Sequence, residues 1–182
     1  MRLSVHDIRD AGLALEFVES AASFPVLAEL QERRECRFPD PLRVTLRIQP
    51  AGDLFELSGR IETRVETPCS RCLKPTLASL DVSFDLAYVR ELPVIEGEEG
   101  EDGREISAEE MGLVLLQGDE IDLREAVQEQ VVLAFPFRPL CAPGCRGLCP
   151  QCGANLNEET CRCAPADFNL KFAALKDLKI DK

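Results

Sequence analysis

The chain has 182 residues, is 45% hydrophobic and carries a net charge of -12 with nine cysteines. That is long enough for one domain with a real core plus a small appendix, and too apolar for a disordered chain. No stretch approaches the ~20 apolar residues of a membrane span, and the acidity argues against broad, charge-driven binding to bare nucleic acid while leaving room for a local basic patch or a basic protein partner.

The N-terminus, "MRLSVHDIRDAG", has charges where a secretory leader needs an apolar run, so a cytoplasmic protein with reduced thiols is expected. "RLSVHDI" alternates like a short strand, and "GLALEFVESAASF" fits a helix or a strand. From Leu42 the alternation sharpens. Leu42, Val44, Leu46 and Ile48 share one face of "LRVTLRIQ". Phe55, Leu57, Gly59, Ile61, Thr63 and Val65 share one face of the next segment, and Leu80, Val82, Phe84, Leu86 and Tyr88 one face of a third. This period of two predicts half-buried antiparallel strands.

The acidic, Gly-rich stretch from Glu96 to Glu105 reads as a mobile loop. A short strand and a helix follow. Asp122 with Glu125 resembles a capping box, and Leu123, Ala126, Val127, Val131 and Ala134 form an apolar stripe that Pro136 and Pro139 bring to an end. A terminal helix is expected in "DFNLKFAALKDLK", with Asp167 at its start and Lys171, Lys176 and Lys179 facing outward. The fold class is therefore α+β. An antiparallel sheet with one long hairpin packs helices on one face (residues 1–140), and a Cys-rich metal-binding segment with a last helix follows (141–182).

The cysteines form a pattern. Cys69 and Cys72 make a C-x-x-C between two strands, Cys149 and Cys152 a second one in "CPQCG", Cys161 and Cys163 a C-x-C, and Cys141 and Cys145 a C-x-x-x-C. A C-x-x-C turn lets two thiolates converge on one ion while backbone N–H groups point at the sulfurs. Zinc takes four ligands in a tetrahedron, so Cys149, Cys152, Cys161 and Cys163 make one complete set. Cys69, Cys72, Cys141 and Cys145 make a second, tying the hairpin to the segment after the helix. One or two structural zinc ions are expected; four thiolates leave no open position for substrate. Spacing alone also admits an iron–sulfur cluster. Cys36 is left over and reads as an ordinary small residue, and the single histidine, His6, is remote.

The blocks "VETPCSRCLKPT", "IDLREAVQEQVVLAFPFRPLC", "CRGLCPQCGANLNEETCRC" and "AALKDLK" resemble, in that order, those of the YceD family, over roughly Leu42 to Lys179. The resemblance implies a non-enzymatic cytoplasmic factor supporting synthesis, processing or stability of 23S ribosomal RNA. Its partners would be the large-subunit rRNA precursor, ribosomal proteins, or both, with no membrane and no small-molecule substrate. It also implies that Cys69 and Cys72 are the more widespread cysteines and that the C-terminal cluster marks a Cys-rich branch whose metal stabilises the fold. The family's Asp-Pro-Arg entry to the last helix is here "ADFNLKF".

Arg60, Arg64, Arg71 and Lys74 lie around the first C-x-x-C, and Arg146 and Arg162 flank the other cysteines. They are the candidates for contact with RNA or a partner. Two other readings compete: an adaptor that binds a basic protein without touching RNA, and a thiol oxidoreductase built on Cys69 and Cys72.

Overall fold

The computed structural model describes residues 1–91, 112–116 and 118–163. The acidic stretch of 96–105 and the expected terminal helix lie outside the described residues. The chain divides into two compact units: Met1–Thr67 with Leu77–Phe137, and Pro68–Thr76 with Arg138–Lys182.

In the first unit, β1 (Arg2–Ser4), β2 (Leu13–Glu19), β3 (Leu42–Ala51), β4 (Leu54–Pro68), β5 (Pro75–Val89), β6 (Leu113–Leu115) and β7 (Glu120–Asp122) are joined by α1 (Pro25–Glu32) and α2 (Leu123–Leu133). The ends of β4 and β5 run on into the second unit. The main sheet has the order β2-β3-β4-β5-β6, and β1 pairs with β7 in a separate two-stranded sheet. β2, β3 and β4 pair antiparallel. The six residues between β4 and β5 allow only a hairpin. β6 departs from the expected all-antiparallel sheet by pairing parallel to β5, Tyr88 opposite Val114.

The ambiguous segment "GLALEFVESAASF" becomes β2 followed by a 3-10 turn at Ala21–Ser23. Pairing decides this: Leu13, Leu15 and Phe17 fall opposite Ile48, Leu46 and Val44, which extends the apolar face of β3 by one strand. The rows continue into β4, where Val44 faces Ile61 and Leu46 faces Gly59. Gly59 is small for a reason of space. A Cβ there would lie 2.4 Å from Cζ of Phe84 and 2.8 Å from Leu46, so the aromatic ring occupies the gap the glycine leaves.

Helix α2 starts where the sequence predicts. Oδ1 of Asp122 accepts the backbone N–H groups of Arg124 (3.0 Å) and Glu125 (3.2 Å), satisfying two of the helix's unpaired donors. Leu123, Ala126, Val127 and Val131 are buried and join Leu27 of α1 and the inward residues of β3, β4 and β5 in one core. The last residue of the expected stripe, Ala134, is the C-cap of α2 and packs at the edge of that core. Cys36 lies in the same core, and its thiol is pushed up to about 11 by burial and then by Glu35.

Candidate metal centres

The second unit begins at the tip of the β4–β5 hairpin. There the backbone N–H of Cys69 bonds to the carbonyl of Lys74 (2.8 Å), and that of Leu73 to the carbonyl of Cys69 (3.0 Å). Eighty residues later the same frame recurs. The N–H of Cys149 bonds to Ala154 (2.8 Å), and that of Gly153 to Cys149 (2.9 Å). "CSRCLK" and "CPQCGA" thus fold into equivalent turns. Each needs a left-handed residue after its second cysteine: Gly153 has φ +74° and Leu73 has φ +61°. Glycine adopts this conformation without penalty, whereas leucine does so at a cost of roughly 1 kcal/mol.

These turns aim N–H groups at sulfur. Cys69 is drawn down to about 6 by the backbone N–H groups of Arg71 and then Cys72. Cys149 is drawn down to about 6 by those of Cys152 and then Gln151. In the C-x-C, the N–H of Cys163 reaches Sγ of Cys161 at 3.2 Å.

The sulfurs gather into two groups: Cys69, Cys72, Cys141 and Cys145, and Cys149, Cys152, Cys161 and Cys163. Within each, all four lie within 4.8 Å of one another. Cys69 is 3.9 Å from Cys145, Cys72 is 3.5 Å from Cys141, and Cys161 is 3.3 Å from Cys149 and 3.5 Å from Cys152. A disulfide needs about 2 Å. Four thiolates each ~2.3 Å from one tetrahedral ion sit about 3.8 Å apart. Each group therefore has the donor set and spacing to hold a metal ion. Their protons divide unequally. Cys141 is pushed up to about 12 by its neighbours Cys72 and Cys145, and Cys163 to about 12 by Cys161 and Cys152. Crowded thiols resist ionising together, and a bound dication would remove that resistance.

The groups differ in shielding. In the first, Cys69, Cys72 and Cys145 are buried and only Cys141 is exposed, with Leu140 and Leu148 packed alongside. In the second, Cys149 is buried while Cys152 and Cys163 are exposed. The first group joins two chain segments through several bonds. The N–H of Ser70 donates to the carbonyl of Pro139 (2.8 Å), that of Leu148 to Arg71 (3.0 Å), and Oγ1 of Thr76 to Leu140 (3.4 Å).

Asn157 is a supporting residue that the spacing argument missed. Its Nδ2 donates to Sγ of Cys145 (3.4 Å) and to Oδ1 of Asn155 (2.8 Å), and its Oδ1 accepts the backbone N–H of Arg146 (2.7 Å). It lies between Cys152 and Cys161 of the second group yet holds a ligand of the first. The Asn-rich turn of "CGANLNEE" was the available signal.

The basic candidates are placed differently from one another. Arg60 donates two hydrogen bonds to Asp81 (2.8 and 2.7 Å) and also meets Glu62. Arg64 pairs with Asp40, and Lys74 with Glu158. The guanidinium of Arg71 donates to the carbonyl of Cys145 at 2.7 Å. Arg146 and Arg162 are exposed, and their side chains meet no carboxylate among the described residues. Charge is divided as well. The second unit holds 9 of the 21 Lys and Arg and 5 of the 33 Asp and Glu, a net +4; the first holds 12 and 28, a net -16.

The profile of the family described as large ribosomal RNA subunit accumulation protein YceD matches residues 57–179, more than half of the chain. An uncharacterized protein of Mycobacterium tuberculosis is 31% identical over 120 residues, covering 65% of this chain and 53% of its own. The chloroplastic large ribosomal RNA subunit accumulation protein YCED homolog 1 of Arabidopsis thaliana is 27% identical over 162 residues, covering 78% of this chain and 50% of its own. Its Zea mays counterpart is 25% identical over 144 residues, covering 69% and 49%. The chain thus spans about half the length of the curated relatives it matches. No solved structure matches it. Among the described residues, no helix is long and apolar enough to cross a membrane.

Proposed function

The chain belongs to the YceD family, and from that premise we propose that it is a non-enzymatic, cytoplasmic accessory factor in the accumulation of large-subunit ribosomal RNA. In this reading its second unit is folded around two structural zinc ions and contacts the rRNA precursor. The observation that carries it is the pairing of charge with rigidity. The charge in question is local: two zinc ions on eight thiolates would add about -4 and offset the +4 of the unit's Lys, Arg, Asp and Glu, but Arg146 and Arg162 stay exposed beside the two four-thiol centres and meet no carboxylate among the described residues. Guanidinium groups on a fixed frame suit phosphate and unstacked bases. Arg71 and Lys74 serve the frame, through Cys145 and Glu158, and the RNA contact falls to Arg146 and Arg162, which meet no carboxylate among the described residues.

Zinc fits the donor set best. Four thiolates within 4.8 Å of one another suit a single ion, whereas a multi-iron cluster holds its thiolates apart around its rim. The four-ligand sets leave no position for substrate, which supports a stabilising role for the metal. An oxidoreductase reading is weakened by the position of Cys69 and Cys72. They lie in a hairpin tip, not at a helix N-terminus, and each is crowded by other thiols.

A tagged capture from cells, washed at two salt concentrations, tests the reading. The wild type is expected to enrich 23S precursor and large-subunit proteins. The double variant Arg146→Glu/Arg162→Glu should lose the RNA while keeping its metal content. Absence of both RNA and ribosomal proteins above a control bait would sink the proposal. Retention of proteins with no RNA in either form would favour an adaptor that binds a basic protein. That second reading has its own support in the net -16 of the first unit.

A further inference from the structure

Helix α2 has an apolar strip that its core-facing stripe does not account for. Val132 and Leu133 are 37% and 71% exposed, and Val26, in the first turn of α1, is 39% exposed. With Gln128 they line a groove of about 360 Å³ rimmed by Glu125 and Glu129. The groove is held in shape, because Oε1 of Gln128 accepts the backbone N–H of Val26 at 3.1 Å and ties the start of α1 to α2.

Glu125 and Glu129 are exposed, one helical turn apart, and in no ion pair among the described residues. Like charges at this spacing oppose each other by a few tenths of a kcal/mol. The same two carboxylates also line a neighbouring cavity of about 190 Å³ with Tyr88, Glu120 and Asp122, where Arg2 is already paired with Glu120 and Asp122 and the N-terminal ammonium also meets Asp122. The result is an apolar floor beside two carboxylates, Glu125 and Glu129, that no cation among the described residues compensates.

We propose that this groove docks a basic, amphipathic segment of a partner protein, its apolar side chains on Val26, Val132 and Leu133 and its Lys or Arg side chains on Glu125 and Glu129. Charge selects this occupant. Nucleic acid would set phosphates against the two carboxylates. A second copy in a two-fold contact would bring the same carboxylates face to face. A cationic helix laid in the groove gains both apolar burial and Coulomb attraction to Glu125 and Glu129. The inference rests on the accessory-factor reading for its setting, and its binding test is independent of RNA.

The probe is a panel of labelled peptides of about 18 residues, rich in Lys and Arg, with Leu on one helical face, each beside a scramble of equal composition. Anisotropy is read with the full-length, metal-loaded protein. The amphipathic peptides are expected to bind at least about tenfold more tightly than their scrambles. Leu133→Ser should weaken them severalfold, as should Glu125→Gln/Glu129→Gln, with the unfolding midpoint of each variant unchanged. Arg146→Glu/Arg162→Glu should bind them like the wild type. Equal binding of peptides and scrambles, or wild-type binding by both Leu133→Ser and Glu125→Gln/Glu129→Gln, would overturn the proposal. So would a wild type that sediments as a dimer and becomes monomeric on Leu133→Ser, which would make a second copy the occupant. Peptide binding that persists while RNA capture fails would leave this groove standing and remove the RNA reading instead.

Discussion

In the first unit the fully buried side chains are Phe24, Leu27, Leu42, Ile48, Leu57, Ile61, Val127 and their like. In the second the buried side chains among the described residues are Cys69, Cys72, Cys145 and Cys149, with Leu140 and Leu148 only partly covered beside the first centre. One unit excludes water with hydrocarbon. The other gathers thiols that repel one another once ionised, and among the described residues only Leu140 and Leu148 pack against its buried cysteines. The difference teaches that the two units should answer to different perturbations: the first to loss of volume, the second to loss of metal.

Chelation should sharpen this contrast most. A thiolate-bound structural metal contributes on the order of 10 kcal/mol to a small domain. Stripping it at neutral pH is expected to abolish amide protection across residues 68–76 and 138–163 and leave α2 and β3 protected in hydrogen exchange. Protection of both regions after complete metal removal would break the comparison. Next in size, Leu57→Ala removes a side chain that is 0% exposed at the centre of the sheet. A loss of about 2–5 kcal/mol of stability is expected in denaturant unfolding. The metal stoichiometry should be unchanged, and a coupled loss of metal would show that the units do not fold separately.

Asn157→Ala acts within the second unit. It removes the N–H···S bond to Cys145 and the acceptor for the N–H of Arg146. Supporting hydrogen bonds of this kind are worth about 10–100-fold in metal affinity. The drop should fall on the first centre when cobalt is titrated, with the second centre as the internal reference. The smallest effect is a gain. Leu73 is 64% exposed and has φ +61° where the equivalent turn has Gly153. Leu73→Gly is expected to stabilise the first centre against a competing chelator by up to about 1 kcal/mol, the left-handed penalty less the added freedom of the unfolded chain. A loss would mean that the leucine side chain makes a contact worth more than the strain.

Much of this was legible before folding because it is written at short range. The alternation from Leu42 to Tyr88 specified three strands and their inward faces, and the Asp122 cap placed the start of α2. The cysteine spacings specified which thiols share a turn and suggested how the pairs of turns combine into the two gathered groups. The segment at Leu13–Glu19 was not legible, because its pattern suits either period until β3 is set beside it. Nor was β6, whose three residues are a strand only through β5. The equivalence of "CSRCLK" and "CPQCGA" was hidden by Leu73 standing where the other turn has glycine.

The sequence by itself determined the periodic elements, the helix cap and the C-x-x-C turns, since each depends on residues within a few positions of one another. Only the tertiary structure decided that Arg71 and Lys74 turn to Cys145 and Glu158 while Arg146 and Arg162 meet no carboxylate among the described residues, that Asn157 supports a thiol of the other group, and that Val26 and Leu133 line one groove. Those outcomes join residues far apart along the chain. They depend on the path the backbone takes between them, which no local spacing encodes.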